Sequence, residues 1–305
     1  MQSVPLISVV ICTYNRQAYI VPCLQCLAGQ SLPLHQYEVI VVNNNSTDDT
    51  ARLVHQFLQQ HPALPFRYVL EERKGLSYAR QRGIEEARAQ AILYIDDDAE
   101  AHEQLLQTYV DFLVAYPQAA GAGGTIIPKY SEAPEPKWIS PWLNGYLVCV
   151  NFGGNIRRYK GRMKYPAGCN MLYRKKYLLQ AGGFNPRLTF RGDDKYIYHA
   201  VKAINPQIYY VPGAWLHHNI PATRLQFAYF KTLFLKTGNE EKKRIASGGL
   251  FSLFKKGIEY LFKLGVAIAI WIGYALSGRE IKGRYVFYSQ WFTFKGFLMK
   301  DVFVR

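Results

Sequence analysis

The sequence has few cysteines, and no charge-free apolar run in it is long enough to cross a membrane. It holds five cysteines in 305 residues, and the close pair Cys23 and Cys26 lacks the second pair that a structural zinc site requires. Residues 1–16 lack the basic start, apolar stretch and small-residue cleavage site of a signal peptide. These absences exclude a disulfide framework, make packed thiols the better reading of the cysteines, and predict a reducing, cytoplasmic setting.

The charge is concentrated near the C-terminus. The whole chain carries a formal net charge of +15, and from Arg224 onward 15 Lys/Arg residues stand against 5 Asp/Glu. A basic, aromatic segment of this kind can face nucleic acid, anionic lipid or an acidic substrate. Charge alone does not choose between these partners.

An apolar segment of about 13 residues, 264–276, lies within this basic region. It is shorter than the ~20 residues that span a bilayer. Basic residues flank it on both sides (Lys255, Lys256, Arg279, Lys282 and Arg284). Two interpretations stay open: a helix lying in a membrane interface, which would hold the protein peripherally on the inner face of the plasma membrane, or a core helix of a small C-terminal subdomain.

Apolar, β-branched runs alternate with helical patterns in the first 127 residues. The predicted strands are 6–13, 37–43, 66–70, 91–95 and 119–127, and the predicted helices are 17–28, 46–60, 76–89 and 103–116. Ser46 or Thr47 is the expected cap of the second helix. The alternation predicts an α/β fold, a mostly parallel sheet with helices on both faces. Its ligands should bind where polar residues 43–48 and 96–98 follow their strands.

Three consecutive carboxylates, Asp96, Asp97 and Asp98, follow a buried strand. Like charges this close raise each other's pKa, and a divalent cation is the usual remedy. Asp96 and Asp98 project to the same side of an extended segment, so both can reach one Mn²⁺ or Mg²⁺ ion. The alternative is a solvated turn or a helix cap that uses Asp97 or Asp98.

Four segments carry a family resemblance: VVICTYNR at 9–16, EVIVVNNNSTD at 38–48, RKGLSYARQRG at 73–83 and YIDDD at 94–98. Their order, spacing and strand context resemble the inverting family-2 glycosyltransferases of the GT-A fold. Shorter matches follow at 166–171, 182–184 and 192–194, so the resemblance covers about two thirds of the chain. It implies a GT-A domain over residues 1–223, with a nucleotide-binding half at 1–127 and an acceptor half at 128–223. Residues 224–305 would form a helical tail.

The resemblance also implies the donor-side roles. The expected nucleotide contacts are Thr13, Asn15, Arg16, Asn43, Ser46, Gly75, Ala79, Arg80, Asp96 and Asp97. Asp98 would ligate the metal, together with Asp96 and with His217 or His218. The donor would be a nucleoside-diphosphate sugar, and a UDP-sugar is favoured even though Asn43 stands where many members have Asp.

On the acceptor side, Asp193-Asp194 occupies the position of the family's Glu-Asp signature. This implies that Asp194 is the general base, with Asp193 beside it, in a single displacement that inverts the anomeric carbon. Asn170, Gly183 and Phe184 would lie near the sugars. Trp138 and Trp142 would either stack on an acceptor ring or serve as packing anchors. Tyr196 and His199 depart from the family pattern and leave the acceptor geometry open.

Processive synthases carry a Gln-x-x-Arg-Trp signature that this sequence lacks, so one addition per binding event is expected. The acceptor would be a glycan or a lipid-linked sugar, with an anionic membrane surface as a further partner.

Two other classes of function carry less weight. A catalytically inactive, sugar- or partner-binding relative is disfavoured because the three key aspartates are retained. Nucleic acid is not an expected partner, because no reader motif is present. The sequence is also compatible with an oligomer.

Overall fold

The computed structural model describes residues 4–161, 163–188, 192–246 and 249–299. Nine strands within these residues form one sheet. They are β1 (Ile7–Thr13), β2 (Tyr37–Asn43), β3 (Phe66–Leu70), β4 (Ala91–Asp96), β5 (Ala99–Ala101), β6 (Gly121–Lys129), β7 (Arg157–Arg158), β8 (Asn170–Arg174) and β9 (Ile208–Asn219). Their order across the sheet is β3-β2-β1-β4-β8-β6-β9-β5, with β7 paired to β9.

The helices before residue 220 connect these strands. They are α1 (Ile20–Ala28), α2 (Thr50–Gln60), α3 (Leu76–Glu86), α4 (Leu105–Ala115), α5 (Asn144–Leu147), α6 (Lys175–Gln180) and α7 (Asp193–Ile204). Short 3₁₀ turns occupy Leu34–Gln36 and Pro141–Leu143. The remaining helices are α8 (Ala222–Leu225), α9 (Phe227–Ala246), α10 (Gly249–Leu276) and α11 (Glu280–Leu298).

The N-terminal part of the sheet is parallel and is covered on both faces. β1 pairs in parallel with β2 and β4, and β2 with β3. Alternate residues of β1 enter different cores: Ile7, Val9 and Ile11 pack in one hydrophobic cluster, and Val10 packs in the other. A strand buried on both faces must be apolar throughout, which explains the unbroken run in its sequence. The predicted α/β fold is confirmed.

The later strands make the sheet mixed. β8 lies antiparallel between β4 and β6, and β5 and β7 pair antiparallel with β9. The sequence predicts only a short strand at 208–211, and β9 extends well beyond it. It continues past Pro212 because its pairing with β6 shifts register between Gly124 and Thr125. A Cβ atom at Gly124 would lie 1.7 Å from the carbonyl oxygen of Ala214, so only glycine permits this approach.

The predicted cap of α2 is wrong. Asp49 occupies the N-cap position, and the carboxylate of Asp48 accepts a hydrogen bond from the Thr50 amide at 3.0 Å. The Ser46 and Thr47 hydroxyls instead bond to Asn15 in the neighbouring loop. A tertiary contact therefore uses the side chains that the local sequence assigned to the helix end.

The chain divides into two units. One contains the described residues through Lys129 together with Val148–Asn219, and the other contains Tyr130–Leu147 together with the described residues from Ile220 onward. The second unit thus starts near the predicted boundary at 223, but it also takes a segment that the sequence grouped with the acceptor half. Trp138 anchors that segment, because its ring stacks on Tyr285 with centroids 4.5 Å apart.

The apolar helix of the second unit is longer than the sequence predicted. α10 has 28 residues, whereas the uninterrupted apolar run has about 13. The difference arises because Lys255, Lys256, Glu259 and Lys263 are part of the same helix. By length and composition α10 is long and apolar enough to cross a membrane, and it is the one helix of the described residues that meets this test.

Candidate active site

Most of the predicted donor-side residues lie at the carboxyl edge of the parallel strands. β1 lies between β2 and β4, so Thr13 is level with Asn43 and Cys12 is level with Asp96. The backbone topology therefore places the two polar clusters of the sequence on either side of the end of β1. This is the edge at which open α/β sheets bind their ligands.

Asn15 and Ser46 hold two loops of this edge together. Asn15 adopts a left-handed backbone conformation with φ of 53°. Its backbone N–H donates to Ser46 Oγ at 3.0 Å, and its side-chain oxygen accepts from the backbone N–H of Thr47 at 2.8 Å. The geometry gives both residues a structural task that the sequence did not anticipate.

A cavity of about 340 Å³ opens beside the end of β1. It is lined by Cys12, Thr13, Tyr14, Asn44, Lys74, Gly75, Leu76 and Ala79. Three of these, Thr13, Gly75 and Ala79, are predicted nucleotide contacts. The other five are not among the predicted contacts, although all of them lie within the segments that carry the resemblance.

Asn44 fixes the wall of this cavity. Its side-chain amide donates to the Arg73 carbonyl at 2.7 Å, and its oxygen accepts from the Gly75 amide at 2.8 Å. Gly75, with φ of 138°, precedes the first turn of α3. The loop before α3 is thereby held against the end of β2.

Asn43, the residue expected to face the base, uses both ends of its side chain within the protein. Its side-chain oxygen accepts from the Ser46 amide at 3.0 Å, and its nitrogen donates to the Tyr68 hydroxyl at 2.8 Å. The side chain is buried, and both of its polar ends are occupied within the protein. A short amide at a strand end bonds readily to the backbone that follows it, and here that local bond prevails.

Asp96, Asp98 and His218 form a set of metal-ligand atoms. One ligand atom from each residue lies within 4.8 Å of the others, and His218 Nε2 is 3.3 Å from Asp98 Oδ1. His218 reaches this position because it is level with Ala99, the residue that follows Asp98, in the β5–β9 pairing. Two carboxylates and an imidazole are suitable ligands for a divalent cation.

The adjacent His217 takes the other direction, as successive residues of a strand do. Its ring lies edge-on to Trp215, with centroids 5.2 Å apart. Of the two histidines offered by the sequence, the geometry brings His218 to the acidic cluster.

Asp97 is not part of this ligand set. Its carboxylate lies 3.5 Å from Arg16, which in turn lies 3.6 Å from Asp98. Burial raises the pKa of Asp97 to about 7, although Arg16 opposes the shift. Arg16 therefore balances the acidic triplet, and it is not among the residues that line the cavity.

Arg80 joins two acidic groups from different parts of the chain. Its guanidinium pairs with Asp193 at the start of α7 and lies 3.4 Å from Asp96 at the end of β4. The ring of Phe184 lies under it, 5.8 Å from the guanidinium carbon. A Cβ atom at Gly168 would come within 2.5 Å of an Arg80 nitrogen, so a larger residue there would displace the guanidinium.

Asp194 follows Asp193 in the first turn of α7. Its carboxylate accepts from the Lys195 amide at 2.7 Å and from the Gly168 amide at 3.3 Å. Burial and the neighbouring Asp193 raise the pKa of Asp194, and Arg80 opposes this rise. The result is a positioned carboxylate that holds a proton more readily than an ordinary Asp.

Three residues expected near the sugars support the site from within. Asn170 is fully buried and bonds to the Tyr109 hydroxyl at 2.7 Å and to the Ala214 carbonyl at 3.0 Å. Phe184 packs against Tyr94 with centroids 5.3 Å apart, and Gly183 forms a turn with φ of 73°. The Asn170 and Phe184 side chains are therefore engaged in contacts within the protein.

The two tryptophans also differ. Trp138 is buried and stacks on Tyr285, as described above. Trp142, by contrast, is 63% exposed.

The fold and this edge of carboxylates define a GT-A-type domain. Residues 8–181 match Glycosyl transferase family 2, and the chain belongs to that family. The predicted family is thereby confirmed.

Curated relatives match parts of the chain. A glucosyl-dolichyl phosphate glucuronosyltransferase of Haloferax volcanii is 26% identical over 61% of this chain and 58% of its own length. A dolichyl N-acetyl-α-D-glucosaminyl phosphate 3-β-D-2,3-diacetamido-2,3-dideoxy-β-D-glucuronosyltransferase of Methanococcus voltae is 29% identical over 41% of this chain and 40% of its own. The chain therefore spans about two fifths to three fifths of the length of these relatives.

Solved structures share the fold at lower identity. S. aureus TarS 1–349 in complex with UDP-GlcNAc has a TM-score of 0.58 and 17% identity, covering 93% of this chain and 90% of that one. The mannosyltransferase PcManGT from Pyrobaculum calidifontis, in complex with GDP-Man and Mn²⁺, has a TM-score of 0.61 and 17% identity, covering 93% and 86%. These likenesses establish the GT-A fold.

Proposed function

We propose that the protein transfers a sugar from a nucleoside-diphosphate sugar to an acceptor hydroxyl, with inversion at the anomeric carbon. The observation that carries this proposal is the arrangement around Arg80. This one buried side chain connects Asp96 of the metal-ligand set with Asp193, the neighbour of Asp194. Donor-side and acceptor-side carboxylates thus belong to one site, as a single displacement requires.

The metal would be Mn²⁺ or Mg²⁺, held by Asp96, Asp98 and His218. The fit rests on the spacing of the three ligand atoms and on their chemistry, two carboxylate oxygens and one imidazole nitrogen. When bound, such an ion offsets the negative charge that builds up on the diphosphate leaving group. Arg16 balances part of the acidic charge around the ligand set.

Asp194 would remove the proton from the acceptor hydroxyl as that oxygen attacks. A general base works best when its pKa approaches the working pH, and burial shifts the pKa of Asp194 in that direction. The backbone amides of Gly168 and Lys195 hold both carboxylate oxygens in place. Asp193 is committed to Arg80, so it serves as a positioning residue beside the base.

The nucleotide would occupy the cavity between the end of β1 and the start of α3. A UDP-sugar is the favoured donor, with Tyr14 and Leu76 offering apolar surface and Lys74 a positive charge. Asn43 would then act through the loop that it fixes.

The acceptor would be a glycan or a lipid-linked sugar. Two relatives carry dolichyl phosphate in their names, and the second unit contains a long, apolar helix. We place the reaction on the cytoplasmic side of a membrane, where a lipid-linked acceptor and a soluble nucleotide sugar can meet.

Calorimetric titration of UDP, GDP, CDP and dTDP, each with and without Mn²⁺, tests the donor site in wild type and in Asp98→Ala. We expect one nucleotide to bind in a metal-dependent way, and the substitution to weaken that binding. The matching nucleotide sugars are then assayed for release of the nucleoside diphosphate. Folded protein that binds none of the four would contradict the proposal, and binding without any turnover would indicate an inactive relative.

A further inference from the structure

α10 presents a long apolar surface to the outside of its own unit. Its residues Leu250, Phe254, Phe262 and Leu276 are each at least 68% exposed. At 100° per residue these positions fall in one stripe, which we call the α10 face. It comprises Leu250, Phe254, Ile258, Leu261, Phe262, Ile272 and Leu276. A helix of 28 residues is about 42 Å long, and an exposed apolar stripe of that length marks an interaction surface.

The helix is not a core helix. Only 17% of its most apolar 18-residue window is buried within the described structure, and that window has a mean hydropathy of 1.5. Its inner side packs on α11, with Tyr260 near Phe297 and Trp271 near Phe287, at centroid distances of 5.2 Å and 5.4 Å. The inner side is therefore packed within the unit, while no described residue of that unit covers the α10 face.

Charges inside α10 argue against a transmembrane orientation. Glu259 pairs with Lys256 at 2.9 Å and with Lys263 at 2.5 Å, near the middle of the helix. The charge-free part that follows, residues 264–276, is about 20 Å long, whereas the hydrocarbon core is about 30 Å thick. A crossing would bury the charged middle of the helix.

The packing of the neighbouring helices adds a second argument. Lys256 also pairs with Glu241 of α9 at 3.3 Å. α9 carries Lys242, Lys243 and Arg244 beside that glutamate and packs against α11 as well. Threading α10 through a bilayer would draw this charged helix with it. Laying the α10 face on the surface of a bilayer leaves α9 and its charges in water.

We propose that the α10 face lies in the plane of a phospholipid bilayer that contains anionic lipids. The apolar side chains would enter the boundary between headgroups and acyl chains, and the exposed Lys255 and Arg279 would contact headgroups. The excess of 15 Lys/Arg over 5 Asp/Glu from Arg224 onward supports an anionic surface as the partner. This inference makes the membrane location in the proposed function more specific. It depends on the proposed function only for that location.

Vesicle co-sedimentation of the full-length protein tests the partner. Vesicles of phosphatidylcholine with and without about 30% phosphatidylglycerol are compared, for wild type and the double variant Phe254→Asp and Phe262→Asp. We expect wild type to bind the anionic vesicles, and the double variant to bind them at least about tenfold more weakly, since each Phe loses its burial in lipid. Both positions are exposed, so folding is not at stake.

Val114→Asp is the matched control. Val114 is an equally exposed apolar residue of α4, in the other unit. Its substitution should leave vesicle binding within about twofold. Nucleotide binding is measured on every variant. Loss of vesicle binding with normal nucleotide binding separates this inference from the donor site, and equal loss in Val114→Asp would overturn it.

The orientation has its own measurement. The variant Ser277→Cys, in the turn after α10, is treated with a membrane-impermeant maleimide added outside the vesicles, and the label is located by peptide mass spectrometry. An in-plane helix leaves the introduced thiol open to labelling, whereas a helix that crosses the bilayer hides it in the lumen. Protection of the site would overturn the in-plane orientation.

A vesicle-independent dimer, seen by light scattering and lost in the Phe254/Phe262 variant, would show that a second copy covers the α10 face instead of lipid.

Discussion

Arg80 and Asp193 form a buried ion pair in which the side chains are 4% and 9% exposed. The same guanidinium lies 3.4 Å from Asp96, so one cation pairs with two carboxylates, Asp96 and Asp193, that are 97 positions apart in sequence. Burying several charges together is unfavourable unless each is paired, and removing one partner leaves the others uncompensated. The pair therefore fixes the relative positions of the metal-binding and base-bearing segments.

Arg80→Lys should separate this bridging role from simple charge balance. Lysine keeps the positive charge but cannot present two forked donors to two carboxylates. We expect the free energy of unfolding to fall by about 1–3 kcal/mol and nucleoside-diphosphate release from the donor to slow by at least about tenfold. Chemical denaturation and steady-state kinetics measure the two effects.

Arg82→Lys provides the control on the same helix. Arg82 makes an ordinary i,i+4 pair with Glu86 at 2.8 Å and is 39% exposed. Its replacement should change stability by less than about 0.5 kcal/mol. Similar effects in the two variants would contradict the proposal that Arg80 acts by bridging Asp193 and Asp96.

The sequence predicts the parallel part of the fold well, because each buried strand carries its own signature. The bounds of β2 and β3 match the predicted runs residue for residue. The length of β9 does not, since it depends on Gly124 allowing β6 to approach Ala214, a contact between residues 90 positions apart. Local patterns do not contain such contacts.

The same limit applies to the candidate site. Motif spacing brings Asp96, Asp98 and Asp194 to attention, but it cannot show that Asn43 and Asn170 use their polar groups inside the protein. Nor can it distinguish His218 from His217, because this depends on the pairing of β9 with β5. The sequence shows which chemical groups the chain contains, and the register of the strands decides which of these side chains reach the site.

Asp194→Asn should abolish most turnover while leaving the donor site intact. An amide cannot accept the acceptor's proton, and loss of a general base typically costs about 10²–10⁴ in rate. Calorimetric nucleotide binding should stay within about twofold of wild type, since Asn keeps the shape of the side chain. Asp111→Asn, an exposed change on α4, is the control and should behave as wild type.

The pH dependence of turnover follows from the same carboxylate. The base is active when deprotonated, and burial beside Asp193 raises its pKa above that of an ordinary Asp. Activity should therefore be complete above this raised pKa and should fall as the pH drops through it. A pH–kcat profile records this acid limb, which should be absent from the residual activity of Asp194→Asn. An unchanged limb in the variant would assign it to another group.

His218→Ala tests the metal-ligand set against its neighbour. Removing one of three ligands should weaken Mn²⁺-dependent nucleotide binding by about 10- to 100-fold, whereas His217→Ala should change it by less than about twofold. EDTA should reduce wild-type binding to the level of the His218 variant measured without metal. Titration calorimetry gives all of these values. An equal loss in the two histidine variants would mean that β9 is not paired as described.

Glu38 gives a prediction about stability that is independent of catalysis. This buried carboxylate accepts from Ser8 Oγ at 2.6 Å, and from the Arg88 amide and Nε at 2.7 Å and 2.9 Å. Burial alone would raise its pKa, but these hydrogen bonds outweigh burial and leave the pKa of Glu38 below its usual value. A depressed pKa stabilises the fold above the unfolded-state pKa, and that contribution is lost as the pH falls through the folded-state pKa.

Glu38→Gln should therefore lower the free energy of unfolding by about 1–3 kcal/mol at neutral pH, because a neutral amide accepts weaker bonds and brings an unmatched donor. The gap to wild type should narrow below about pH 4, where protonation removes the same charge from the native protein. Urea denaturation at a series of pH values measures this convergence. Glu103→Gln, an exposed change, should shift stability by less than about 0.5 kcal/mol throughout. A gap that stays constant with pH would show that Glu38 acts through shape and not through its charge.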